Sequence, residues 1–142
     1  MKKKELISKL AKIKLFVSDV DGVLTDGGLY YNDNGLIMKK FNVKDGMAVR
    51  LLKEAGVETA IISTDISNII EARAKRLKIK YLYTGSWDKE EKLKQICSDL
   101  KISAKNSAFI GDDVNDIGII NYTGQNRCSK YKRRCDVFSP IN

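Results

Sequence analysis

Apolar positions along the chain follow two alternating rhythms. Four short unbroken runs, KIKLFVSD (12–19), VETAIIST (57–64), IKYLYTG (79–85) and SAFIG (107–111), are β-branched or aromatic and close on turn residues, the pattern of buried strands. Between them the spacing changes to that of a helix face. In DGMAVRLLKEAG (45–56), Asp45 is placed to cap, Met47, Leu51, Leu52 and Ala55 to face inward and Gly56 to close. DISNIIEARAKRLK (65–78) sets Ile66, Ile69, Ile70, Ala74 and Leu77 on one side. DKEEKLKQICSDL (88–100) carries Leu93, Ile96, Cys97 and Leu100, and DVNDIGIINYTG (113–124) opens a further helix. A short amphipathic helix bearing Leu6, Ile7 and Leu10 is predicted ahead of the first strand.

One segment breaks this alternation. GLYYNDNGLIMKKFNV (28–43) reads as two extended pieces flanking Asn32-Asp33-Asn34-Gly35, a hairpin turn signal. Strands separated by helices predict a parallel sheet with right-handed crossovers. The expected fold is therefore α/β: a Rossmann-like parallel sheet with helices on both faces, a β-hairpin flap after the first strand and no large cap domain. Residues 1–142 read as one domain without repeats, and the basic segment 125–142 stands apart from the rest. Within it, CDVFS (135–139) is expected to form a last strand.

Composition narrows the choices. The chain has 142 residues and a net charge of +8, but much of the local excess lies in NRCSKYKRRC (126–135). Elsewhere lysines alternate with glutamates on helix faces, and no aromatic-basic stacking pattern accompanies them, so nucleic acid is not an expected partner. Cys97, Cys128 and Cys135 lack metal-ligand spacing and read as reduced thiols. No apolar run approaches the roughly 20 residues that cross a bilayer, so no membrane partner is expected. The opening MKKKELISKLAKIK is interrupted by charge, unlike a secretory signal, and the expected location is cytoplasmic.

The chain also contains no histidine, which leaves acid–base chemistry to carboxylates and lysines. In parallel sheets ligands bind beyond the carboxyl ends of the strands. Those ends carry Asp19 and Asp21, then Ser63, Thr64 and Asp65, then Lys89 a few residues on, then Gly111-Asp112-Asp113. So many carboxylates on one rim demand a cation, and an all-oxygen set without histidine favours Mg²⁺. Asp19 and Asp112 are placed to supply carboxylates to it, with a backbone carbonyl near Asp21 as a third ligand. A carboxylate beside a metal can attack phosphorus, and Asp21 is spaced to shuttle the protons. Trp87 reads as packing near the rim.

These residues carry a resemblance. DVDGVLTDG matches the DxDGxxTDG signature of the haloacid dehalogenase superfamily of phosphohydrolases. IIST (61–64), Lys89 in GSWDKEEKL and FIGDDVND (109–116) match its second, third and fourth motifs in order. The stretch TDGGLYYNDNG…KKFNVKDGMAVRLLKEAG is similar to one branch: phosphatases of 3-deoxy-octulosonate 8-phosphate and of nine-carbon keto-deoxy sugar acid 9-phosphates. It is equally similar to the phosphatase-like domain fused behind some acylneuraminate cytidylyltransferases.

The resemblance implies Asp19 as nucleophile, Asp21 as general acid/base, Ser63 as phosphate-binding hydroxyl and Lys89 as the lysine holding the phosphoryl group. It implies Asp19, Asp21 and Asp112 around Mg²⁺, with Asp113 and Asp116 as supporting acids. Asp65 and Arg73 fall where the branch places sugar-contacting residues, and Thr64-Asp65 stands where relatives often have glycine-glutamate. It further implies a homo-tetramer in which the hairpin helps cover a neighbour's site. After Gly124 relatives continue into a strand, a helix and a glycine-rich tail, whereas this chain reads QNRCSKYKRRCDVFSPIN. Two functions follow: a Mg²⁺-dependent phosphatase of a phosphorylated keto-deoxy sugar acid, or a catalytically weak or inactive oligomerisation module.

Overall fold

The first strand, β1 (Leu15–Ser18), buries Leu15 and Val17 completely on one face of a sheet, and this fixes what the neighbouring strands must offer. β4 (Glu58–Ile62) pairs with β1 in parallel, Leu15 opposite Glu58 and Val17 opposite Ala60. β6 (Ser107–Gly111) pairs on the other side, Val17 opposite Phe109. β5 (Tyr81–Tyr83) extends the sheet beyond β4, and β7 (Gln125–Cys128) beyond β6. The spatial order is β5-β4-β1-β6-β7. The chain thus winds outward from β1 in one direction and then returns to its other side, a doubly wound sheet whose switch point lies between β1 and β6. The computed structural model describes residues 3–123 and 125–128.

Strand alternation separates two cores. Leu15, Val17, Ala60, Ile62 and Phe109 pack under α4 (Lys89–Leu100) and α5 (Ile117–Tyr122) through Leu93, Ile96, Cys97, Ile119 and Ile120. On the opposite face Ile61 meets Val20 and, from α3 (Asn68–Leu77), Ile70 and Ala74. α2 (Val43–Glu54) lies against β4 and α3 and buries Val49. Helices therefore cover both faces, as the sequence predicts. The hairpin is a separate two-stranded sheet, β2 (Thr25–Asn32) and β3 (Gly35–Phe41), closed by Asp33-Asn34 with Asn32 opposite Gly35. The Asn32 side chain accepts a hydrogen bond from the Asn34 N–H and shapes that turn. No large cap follows it among the described residues.

Several local expectations are revised. α2 is capped by Asn42, whose side chain accepts from the Lys44 N–H, and Asp45 lies one turn in. Its inward face runs through Asp45, Val49 and Leu52, so Met47, Leu51 and Ala55 are exposed. The half-buried Asp45 faces the charge of Arg73, a polar pair where the hydrophobic pattern implied an apolar one. Ile66 precedes α3, which starts only after the Ser67 cap, and is exposed. Trp87 is 75% exposed and packs into no core. In α1 (Lys3–Leu10), Ile7 and Leu10 are exposed, and the side chain of Leu6 lies outside the described ones. The expected strand at 135–139 also lies outside the described residues, as does most of the basic segment.

Candidate active site

The loop leaving β1 is tied into a tight turn. The N–H groups of Val23, Leu24 and Thr25 all donate to the Val20 carbonyl, at 3.2, 2.9 and 3.1 Å. Thr25 Oγ1 accepts from the N–H groups of Gly22 and Gly27, both at 3.2 Å, so one hydroxyl closes the loop from inside. Gly22 has φ +79°, and a Cβ there would lie 1.9 Å from Asp112 Oδ2. Only glycine meets both demands, and its bare Cα lets the ends of β1 and β6 approach at the switch point.

Asp19 continues β1 by donating its N–H to the Ile110 carbonyl at 3.0 Å. Its carboxylate is buried: Oδ1 accepts from the Val20 N–H at 2.7 Å, and Oδ2 lies 3.1 Å from Lys89 Nζ. Lys89 enters from the first turn of α4, is 2% exposed, and also donates to Asp116 Oδ1 at 2.6 Å. The other oxygen of Asp116 accepts from the N–H groups of Asp112 and Asp113, at 3.0 and 3.2 Å. Both oxygens of Asp116 are thus engaged, and it serves as the strut that shapes the loop after β6. Gly111 permits this, since a Cβ there would lie 2.2 Å from Asp116 Oδ2.

Oxygens of Asp19, Asp112 and Asp116 all lie within 4.8 Å of one another. Lys89 is the cation that reaches Asp19 and Asp116. Burial, opposed by Lys89 and assisted by Asp116, pushes the Asp19 pKa up to about 6. Burial and the charges of Asp116 and Asp113 likewise raise that of Asp112. This surplus of negative charge on an all-oxygen set fits a hard divalent cation held by Asp19 and Asp112.

A measurable consequence follows from the sign of these shifts. Asp19 binds its proton more tightly folded than unfolded, so its contribution to stability falls as pH rises from about 4 to about 6. A cation reverses that penalty only once the proton has left. Mg²⁺ is expected to raise the melting temperature markedly above about pH 7 and only slightly below about pH 5. Equal increments at both pH values, read by calorimetry, would contradict the assignment.

A second cluster lies beside the first. Both Asp21 oxygens bind Lys39 Nζ, at 2.6 and 2.7 Å, and the same ammonium binds Asp65 Oδ2. The Lys39 side chain is wholly buried. Burial disfavours charge on both Lys39 and Asp65, but mutual hydrogen bonds prevail: the lysine pKa is raised and that of Asp65 lowered. The other Asp65 oxygen accepts from the Ser67 N–H at 2.8 Å, and Ser63 Oγ accepts from the Asp65 N–H at 3.2 Å. Asp21, Thr64 and Asp65 line a cleft of about 640 Å³ closed on its other side by Leu29, Tyr31 and Leu36 of the hairpin.

The residues singled out in sequence thus divide into three groups. Asp19, Lys89, Asp112 and Asp116 share one cluster, while Asp113 is exposed and caps the turn by accepting from the Val114 N–H at 2.7 Å. Asp21, Ser63, Thr64 and Asp65 share the second. Arg73 belongs elsewhere: it donates to the Asn42 carbonyl at 3.0 Å and stacks on Phe41 in the groove between α2 and α3. The carboxylate oxygens gathered for a cation come from Asp19, Asp112 and Asp116, while the Asp21 carboxylate is bound by Lys39, which leaves to Asp21 the backbone carbonyl expected of it. Sequence reasoning missed Lys39 and the Thr25 hydroxyl. The one signal for Lys39 is its place two residues before Phe41, on the strand face that turns toward the core.

A model of haloacid dehalogenase-like hydrolases matches residues 53–128. The chain is 38% identical over 109 residues to the 3-deoxy-D-manno-octulosonate 8-phosphate phosphatase of Haemophilus influenzae, covering 77% of this chain and 61% of that protein. It is 36% identical over 120 residues to the Escherichia coli K12 enzyme of the same name, covering 84% and 64%. The chain thus spans about six-tenths of the length of these curated relatives. The Moraxella catarrhalis phosphatase in complex with magnesium, phosphate and KDO superposes with a TM-score of 0.81 at 37% identity, covering 87% of this chain and 71% of that one. The cobalt-bound Haemophilus influenzae structure gives 0.81 at 36% identity, covering 84% and 70%.

Proposed function

We propose a reaction for this chain, which belongs to the haloacid dehalogenase-like hydrolases: Mg²⁺-dependent hydrolysis of a phosphorylated keto-deoxy sugar acid through an aspartyl-phosphate on Asp19. The observation that carries it is the meeting of Asp19, Lys89 and Asp112 at the switch point with Asp21 two residues along. An eight-carbon 8-phosphate is the first choice of substrate, from the relatives' names.

Bound Mg²⁺ would withdraw charge from the phosphoryl oxygens and keep Asp19 ionised. Asp19 and Asp112 would hold it. An Asp19 oxygen, in line behind phosphorus, forms the acyl-phosphate bond as the sugar oxygen leaves, and Asp21, entering the cycle with a proton on one oxygen while Lys39 keeps the other, gives the leaving oxygen that proton. Lys89 holds a phosphoryl oxygen while remaining beside Asp19, and the Ser63 hydroxyl is free to donate to another. Asp21, now a carboxylate, takes a proton from water, whose oxygen attacks phosphorus and releases Asp19. The sugar acid occupies the cleft beside Thr64, Asp65 and Asn68, beneath the hairpin.

The hairpin supports assembly as a homo-tetramer, for Leu29, Tyr30, Tyr31, Ile37 and Met38 are all exposed on it. A cytoplasmic location is part of the same reading; among the described residues no helix is long and apolar enough to cross a membrane. The test is phosphate release from eight- and nine-carbon keto-deoxy acid phosphates and from a simple phosphomonoester. A much higher kcat/KM for the eight-carbon acid is expected. Release from none of them by the folded protein would overturn the enzyme reading in favour of an assembly module.

A further inference from the structure

A lysine is rarely buried without a task, because removing its charge from water is costly unless every donor is satisfied. Lys39 satisfies that condition: its three short contacts reach Asp21 Oδ1, Asp21 Oδ2 and Asp65 Oδ2. It comes from β3, Asp21 from the loop after β1, and Asp65 from the entry to α3. Three segments distant in sequence, all bordering one cleft, are therefore fastened through one nitrogen. Without it, two carboxylates would face each other at the mouth of a site whose substrate is itself an anion.

We propose that Lys39 is a positioning residue of the site: it holds Asp21 in place over the reacting centre and neutralises Asp65, so that the cleft accepts a negatively charged sugar phosphate. This rests on the reaction proposed above. Two separable effects follow. Orientation of Asp21 appears in kcat, since small misplacement of a reacting group lowers rate steeply. Neutralisation of Asp65 appears in KM.

The test is steady-state kinetics on Lys39→Met, Lys39→Arg and the double variant Lys39→Met/Asp65→Asn, each corrected for folded fraction. Lys39→Met is expected to lose about 10- to 100-fold in kcat and to raise KM about tenfold. Adding Asp65→Asn should return KM toward wild type and leave kcat low. Lys39→Arg keeps the charge but cannot place one nitrogen on three oxygens, so KM should stay near wild type while kcat falls. Wild-type kcat in both single variants would overturn the proposal, as would a loss confined to melting temperature. Hydrogen exchange gives a readout independent of turnover. Lys39→Arg should speed exchange in β3 and at residues 64–68 relative to β1 and β6, and unchanged protection there would sink the fastening role. If the wild-type protein releases no phosphate, the reaction fails, and exchange alone still decides whether Lys39 fastens the cleft.

Discussion

Asp19→Asn yields a folded protein with no measurable phosphatase turnover. An amide is a poor nucleophile toward phosphorus and a poor ligand for a hard cation, so one substitution removes both contributions of this residue. A loss of at least about a thousandfold in kcat is expected. The fold should survive, because burial already makes the Asp19 charge unfavourable and raises its pKa to about 6. Relieving that charge offsets the lost contact with Lys89, and the metal-free melting temperature should stay within a few degrees of wild type. Mg²⁺ should then stabilise the variant much less than the wild-type chain. Residual turnover near the wild-type rate would remove Asp19 from the chemistry altogether.

Lys89→Met has the largest expected effect on stability. The substitution preserves most of the stem volume and deletes the one charge that Asp19 and the fully buried Asp116 share. Leaving buried carboxylates without their cation costs on the order of 3–5 kcal/mol. For a chain of this size that is a fall in melting temperature of roughly 10 °C or more. Saturating Mg²⁺ should restore part of it by supplying positive charge to the same oxygens, and kcat should remain depressed by at least about a hundredfold. A melting curve unchanged from wild type would show that Lys89 does not neutralise this cluster.

The sheet and the first cluster were legible in the sequence because both depend on local signals. Unbroken apolar strands end in aspartates, and a doubly wound sheet brings strand ends to one rim whatever the details of packing. The interior of α2 was not legible. Its most hydrophobic residues, Met47 and Leu51, face outward, and the half-buried Asp45, facing the charge of Arg73, takes an inward position. Periodicity counts apolar residues and has no means of crediting a charge pair. Lys39 escaped for a related reason. In MKKF it is one of two adjacent lysines, and strand alternation alone places one inward and the other outward. Which of them is buried depends on carboxylates 18 and 26 residues away in sequence. The strut role of Asp116 was likewise hidden, since the motif shows an acid but not that both of its oxygens are already committed.

The central claim is that Asp19 carries the phosphoryl group and Asp21 moves the protons. Its most direct test is acid quenching of Asp21→Asn shortly after mixing with Mg²⁺ and the eight-carbon sugar acid phosphate, followed by intact and peptide mass measurement. Without its base the second half-reaction slows more than the first, so one phosphoryl group should accumulate on the peptide containing Asp19 and decay slowly. Turnover by this variant with no phosphoryl adduct, or an adduct on any other residue, would contradict the account.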